Sequence, residues 1–103
     1  MLIKGLLKNA NVDVLCAEDG FEAIELAAGE QPDLIIMDYY MPGLNGYETA
    51  KEIKGNSGSL PIICHTTDSN TINNKKNREV FTDFIFKPVN KHLLLKKISQ
   101  YIG

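Results

Sequence analysis

Apolar residues along this chain come in two rhythms that alternate from one end to the other. Val12-Asp13-Val14-Leu15-Cys16-Ala17, Leu34-Ile35-Ile36-Met37, Pro61-Ile62-Ile63-Cys64-His65 and Asp83-Phe84-Ile85-Phe86 are short apolar runs bounded by turn residues. Runs of that length and bounding predict strands, those without strict alternation being buried on both faces. Between them, apolar side chains recur at helical spacing: Phe21, Ile24 and Ala28; Tyr47, Ala50 and Ile53; Leu94, Ile98 and Tyr101. The spacing predicts helices over 21–28, ended by Gly29; over 47–54, opened by Gly46; and from the cap Asn90 to Tyr101. Leu2, Ile3, Leu6 and Leu7, with Lys4 and Lys8 opposite, predict a further helix over 1–9. Ser69 to Val80 is a helix by its place in the order, but Asn70, Asn73, Asn74 and Asn77 are weak helix formers. With Ile72 almost its sole apolar anchor, that segment is expected to be short and loosely docked. Gly55-Asn56-Ser57-Gly58-Ser59 is a flexible connector. Strands alternating with helices predict an α/β fold with a parallel sheet.

Composition narrows the possibilities by exclusion. With 103 residues the chain suits one domain, taken here as 1–103, and no repeat or linker divides it. A net charge of −2 provides no electrostatic basis for binding nucleic acid or an anionic membrane. No apolar run approaches a bilayer span and no secretory leader is evident, so the expected location is the cytoplasm. Cys16 and Cys64 sit in apolar runs without metal-ligand spacing and are expected to be buried, reduced thiols.

The chemistry concentrates after the second strand, where Leu34 to Met37 lead directly into Asp38 and then into Met41-Pro42-Gly43-Leu44-Asn45-Gly46. A parallel sheet presents its functional groups at the carboxyl ends of its strands, which is where Asp38 falls. Read alone, that aspartate is a helix cap. Two later signals favour a site: Thr66, a hydroxyl at the end of the Pro61–His65 run, and Lys87-Pro88 closing the last strand.

Taken in order, these motifs make the sequence resemble the receiver domains of two-component response regulators, including those appended to hybrid histidine kinases. The resemblance runs the length of the chain and implies a flavodoxin-like, doubly wound parallel sheet. It implies that Asp38 is the phospho-acceptor, Thr66 the hydroxyl that moves toward the phosphoryl group, and Lys87 the active-site ammonium. Phe84 falls at the family's aromatic switch position, and the Lys87–Pro88 bond is expected to be cis. A carboxylate is a competent nucleophile toward phosphorus, and the transferred group needs cations more than a base. The implied phosphoryl donor is a histidine kinase or histidine phosphotransfer protein, and the implied cofactor is magnesium, with Asp38 as a ligand.

The sequence departs from the family at its start. The family's first strand, central in a 2-1-3-4-5 sheet, ends in two adjacent acidic residues that help hold the metal; neither strand nor pair is found here. Residue 1 corresponds to the interior of the first helix, so the sheet is expected to be incomplete, an N-terminally truncated receiver. Repair by closing up strands, by exchanging segments, or by a homodimer is expected, together with weak or absent metal-dependent phosphorylation. Glu18 and Asp19, at the end of a neighbouring strand, read as a solvated turn rather than substitutes for the acidic pair. Thr67 is a fallback for Thr66. His65 reads as packing or hydrogen-bonded structure, His92 as a surface residue, and Lys96 and Lys97 as a solvated helix face.

The leading expectation is a signalling module, not a turnover enzyme, in which charge at Asp38 draws Thr66 inward and Phe84 follows. A degenerate receiver that docks or dimerises without phosphorylation is the main alternative. A flavodoxin-like mononucleotide binder is a third, disfavoured because no Gly-rich phosphate loop follows any strand.

Overall fold

A computed structural model describes residues 2–4, 13–88 and 90–102. Its centre is a five-stranded sheet in the order β1-β2-β3-β4-β5. The strands are β1 (Leu2–Lys4), β2 (Asp13–Ala17), β3 (Leu34–Asp38), β4 (Ile62–Thr66) and β5 (Asp83–Phe86). The last four run parallel, whereas β1 is antiparallel to β2. The helices are α1 (Gly20–Glu30), α2 (Gly46–Asn56), α3 (Ser69–Asn73), α4 (Lys75–Val80) and α5 (Lys91–Ile102). The α/β class and the parallel strands are as the sequence predicts.

Period-2 alternation along the strands sorts the core into two clusters. Leu15 and Ala17, Ile35 and Met37, Ile62 and Cys64 join Ala23 and Ala27 of α1, Ala50 and Ile53 of α2, and Val80 of α4. The intervening residues Val14, Leu34, Ile36, Ile63 and Ile85 pack against Ile98 of α5, flanked by Leu94 and Tyr101. Strand residues of opposite parity therefore belong to opposite faces of the sheet. That rule decides which side chains meet at the carboxyl ends of the strands.

Three expectations about elements need correction. Residues 2–4 form a strand, not the start of a helix, with Leu2 opposite Leu15 and Lys4 opposite Asp13; the rest of the expected 1–9 helix lies outside the described residues. The edge of β2 offers these residues a backbone partner, and ladder pairing there overrides the helical spacing of their side chains. Nor is there a gap in the sheet, because β2 pairs directly with β3, Leu15 opposite Ile35 and Cys16 opposite Ile36. Of the three expected repairs, the sheet shows the closing up of strands. Third, Gly29 lies inside α1, which ends at Gln31 in a left-handed conformation (φ 48°), just before Pro32.

The Asn-rich segment is broken, as its composition suggests. Asn74 ends α3 and caps α4, its side chain accepting from the backbone N–H groups of Lys76 and Asn77. Its anchors are not Ile72 but the buried Thr71, Asn77 and Val80. Asn90 caps α5 as expected, accepting from the N–H of Leu93 at 2.7 Å. Among the described residues no helix is long and apolar enough to cross a membrane.

Candidate functional site

The site is built at the carboxyl ends of β3, β4 and β5. Asp38 ends β3 directly opposite His65 of β4, and Lys87 follows β5, held by its backbone N–H bonding to the Thr66 carbonyl at 2.9 Å. Asp38 shares its parity with Leu34 and Ile36, His65 with Ile63, and Lys87 with Ile85, so all three emerge on the α5 side. Lys87 Nζ lies 2.6 Å from Asp38 Oδ1, a short charge-assisted contact. His65 Nδ1 lies 3.8 Å from the same oxygen.

These side chains border a cavity of about 360 Å³ whose other walls include Cys16, Ala17, Glu18, Ile36, Met37 and Leu94. Asp38 and Lys87 are 32% and 35% exposed, so the pair is open to an incoming group yet partly shielded from water. His65 is 24% exposed, and its Nε2 is buried with no hydrogen-bond partner among the described residues. Burial, reinforced by the Lys87 charge and opposed by Asp38, holds the imidazole below its ordinary pKa. Of the two expected readings of His65, packing or hydrogen-bonded structure, its Nε2 shows packing without a hydrogen bond among the described residues, while the β3–β4 register turns its Nδ1 toward Asp38.

Thr66 has the opposite parity and is turned to the other face. Its Oγ1 accepts from the Asp68 N–H at 3.1 Å and is 3.3 Å from Thr71 Oγ1, and the residue is only 2% exposed. Thr66 is therefore at the strand end, as expected, with its hydroxyl engaged away from Asp38. Neither Thr66 nor Asp38 caps the adjoining helix; Asp68 caps α3 and Asn45 caps α2. Phe84 lies on the Thr66 side, edge-on to Phe81 with ring centres 5.6 Å apart, and Phe81 in turn meets Tyr39 at 6.3 Å. This aromatic run joins the residue after Asp38 to the expected switch position. The Lys87–Pro88 peptide is cis.

Magnesium is held by one or two carboxylates completed by water, and of the described carboxylates Asp38 and Glu18 border the cavity. Among the described residues no group of three His, Cys, Asp or Glu side chains is placed to hold a metal ion. Asp19 is committed to α1, its carboxylate accepting from the Glu22 N–H at 3.1 Å. Glu18 is exposed, at the rim of the Asp38 cavity.

A larger cleft of about 540 Å³, lined by residues such as Ile24, Pro32, Ile53 and Leu60, lies at the opposite, amino ends of the strands, remote from this chemistry. The expected solvated face of α5 is also corrected at one position. Lys97 Nζ lies 2.9 Å from Asp83 Oδ2, and Tyr101 donates its hydroxyl to the same oxygen at 2.5 Å, fastening α5 to β5.

Comparison with known proteins agrees with this architecture. The family model for the response regulator receiver domain matches residues 1–99. Protein PilH of Pseudomonas aeruginosa is 34% identical over 104 residues, covering 98% of this chain and 86% of PilH. Protein PilG of the same organism is 37% identical over 100 residues, covering 94% of this chain and 74% of PilG. Among solved structures, the receiver domain of a Pseudomonas aeruginosa sensor histidine kinase, with a magnesium ion in its active-site cleft, superposes with a TM-score of 0.75. It is 28% identical, and the match covers 84% of this chain and 74% of that one. The chemotaxis response regulator CheY4 of Vibrio cholerae gives a TM-score of 0.73 at 32% identity, over 82% and 73% of the two chains.

Proposed function

Since this chain belongs to the response regulator receiver domain family of two-component signalling, we propose that it accepts a phosphoryl group on Asp38 from a phosphohistidine. The donor is a histidine kinase or a histidine phosphotransfer protein. The observation that carries this reading is the 2.6 Å pair between Lys87 Nζ and Asp38 Oδ1 at the mouth of an open cavity. With Oδ1 held by Lys87, Oδ2 is the oxygen that attacks. A P–O bond forms as the donor's N–P bond breaks, and the electron pair leaves with the donor imidazole. Asp38 gives up no proton in this step, and Lys87 balances the charge that spreads over the phosphoryl oxygens.

The chain then acts as a signalling domain rather than a turnover enzyme. For the expected switch, the Thr66 hydroxyl must leave Asp68 and Thr71 and turn from the far face of the sheet toward the phosphoryl group, with Phe84 following along the Phe81–Tyr39 contacts. Because the family's adjacent acidic pair is missing and Glu18 is the one other carboxylate bordering the cavity among the described residues, metal-dependent labelling is expected to be weak or absent. Incubation with acetyl phosphate, or with a phosphorylated histidine phosphotransfer protein, tests the reading. Label that is lost in Asp38→Asn and reduced in Lys87→Ala is the expected result; label that persists in Asp38→Asn overturns it.

The donor set favours one second reading, a docking or dimerisation module that works without phosphorylation. Full partner binding by Asp38→Ala would decide for it.

A further inference from the structure

Two polar atoms of one side chain at the site have opposite environments. His65 Nε2 is buried and has no hydrogen-bond partner among the described residues, whereas Nδ1 faces Asp38 Oδ1 at 3.8 Å, and the residue borders the cavity. A neutral imidazole carries its single proton on one nitrogen, and the surroundings choose which. An N–H on Nε2 would be stranded in the interior without an acceptor, which is rarely tolerated. On Nδ1 the same proton points toward a carboxylate. A protonated ring carries a proton on Nδ1 as well, so this nitrogen is a donor in either charge state.

We infer that His65 is a second donor of the site: its Nδ1–H takes hold of a phosphoryl oxygen on Asp38, alongside the Lys87 ammonium that faces the same carboxylate oxygen. This rests on phosphorylation of Asp38 as proposed above. At 3.8 Å the unmodified carboxylate is too far for a good hydrogen bond. A phosphoryl group extends beyond the carboxylate into the cavity, so its oxygens come within reach of a ring that the Asp38–His65 strand register already holds in place. His65 thereby distinguishes the modified from the unmodified side chain. Lys87, bonded to Asp38 beforehand, does so less.

The test uses the full chain and acetyl phosphate. His65→Leu, which removes the donor, is expected to lower the labelling rate or shorten the acyl-phosphate half-life by roughly tenfold, less than loss of a donor in a fully enclosed site because His65 is partly exposed. His65→Asn, whose amide places an N–H near the former Nδ1, should restore most of the effect. A merely structural role would show no such rescue. On the wild type, nitrogen NMR of labelled histidine should show the neutral His65 ring protonated at Nδ1, with that resonance shifting on phosphorylation. Labelling that depends on Asp38 but is equal in wild type and His65→Leu overturns this inference alone. The Nε2-protonated tautomer does the same, even if His65→Leu fails to fold. Absence of any label in the wild type overturns it together with the proposed function.

Discussion

At the scale of single residues, the site depends on how close two backbones come. The Gly46 N–H bonds to the Tyr39 carbonyl at 2.6 Å, and a Cβ on Gly46 would stand 2.8 Å from Tyr39 Cα and 3.0 Å from its oxygen. Those atoms are backbone and cannot swing aside, and Tyr39 directly follows Asp38. Gly46→Ala should therefore destabilise the fold by about 1–3 kcal/mol despite alanine's better helix propensity. A lowered midpoint in urea unfolding with an unchanged slope checks it. The sequence shows Gly46 as a helix opener. The reason that nothing larger is accommodated lies in Tyr39, seven positions back, and periodicity has no access to it.

At the scale of elements, α5 is attached to β5 by more than apolar contact. Burial alone would raise the Asp83 pKa, but hydrogen bonds from Tyr101, Lys97 and the Phe84 backbone outweigh it and hold the carboxyl below its ordinary value. The bond to Asp83, aided by burial, pushes the Tyr101 hydroxyl up to about 12. For Asp83, a depressed pKa means that its contribution is present above the unfolded value near 3.8 and is lost as pH falls through the folded value. For Tyr101, the raised pKa gives a contribution present below about 10 and lost as pH rises toward about 12. Asp83→Asn should flatten the stability profile at its acid end and bring the Tyr101 titration back toward 10. Thermal melts across acid pH and ultraviolet titration of the phenol measure the two effects. In the sequence, Lys97 has the spacing of a solvent-facing residue. Only the docking of α5 beside β5 brings it to Asp83.

At the scale of the whole molecule, the order of strands bears directly on the question the sequence raised. The family resemblance implies a further strand between β2 and β3, whereas here those two pair directly in parallel. Direct pairing leaves no unsatisfied ladder between them, and β1 covers the outer edge of β2. Cross-strand backbone proximities between Leu15 and Ile35, and between Cys16 and Ile36, should be visible by NMR in solution. If a strand exchanged from a second copy lay between β2 and β3, these signals would be missing. Their absence would then favour segment exchange over closing up.

The sequence by itself determined the α/β class, the four parallel strands, the cap at Asn90 and the placement of Asp38 and Lys87 at strand ends. Those features follow from local rules: apolar runs, cap chemistry, and the motifs that carry the family likeness. The tertiary structure alone decided that Leu2–Lys4 is a strand, that β2 meets β3, and that His65 faces Asp38 while Thr66 faces Thr71. Each of these depends on which backbone lies alongside another and in what register. In a sheet a shift of one residue exchanges the two faces, so the company a strand-end side chain keeps is fixed only once its neighbours are in place.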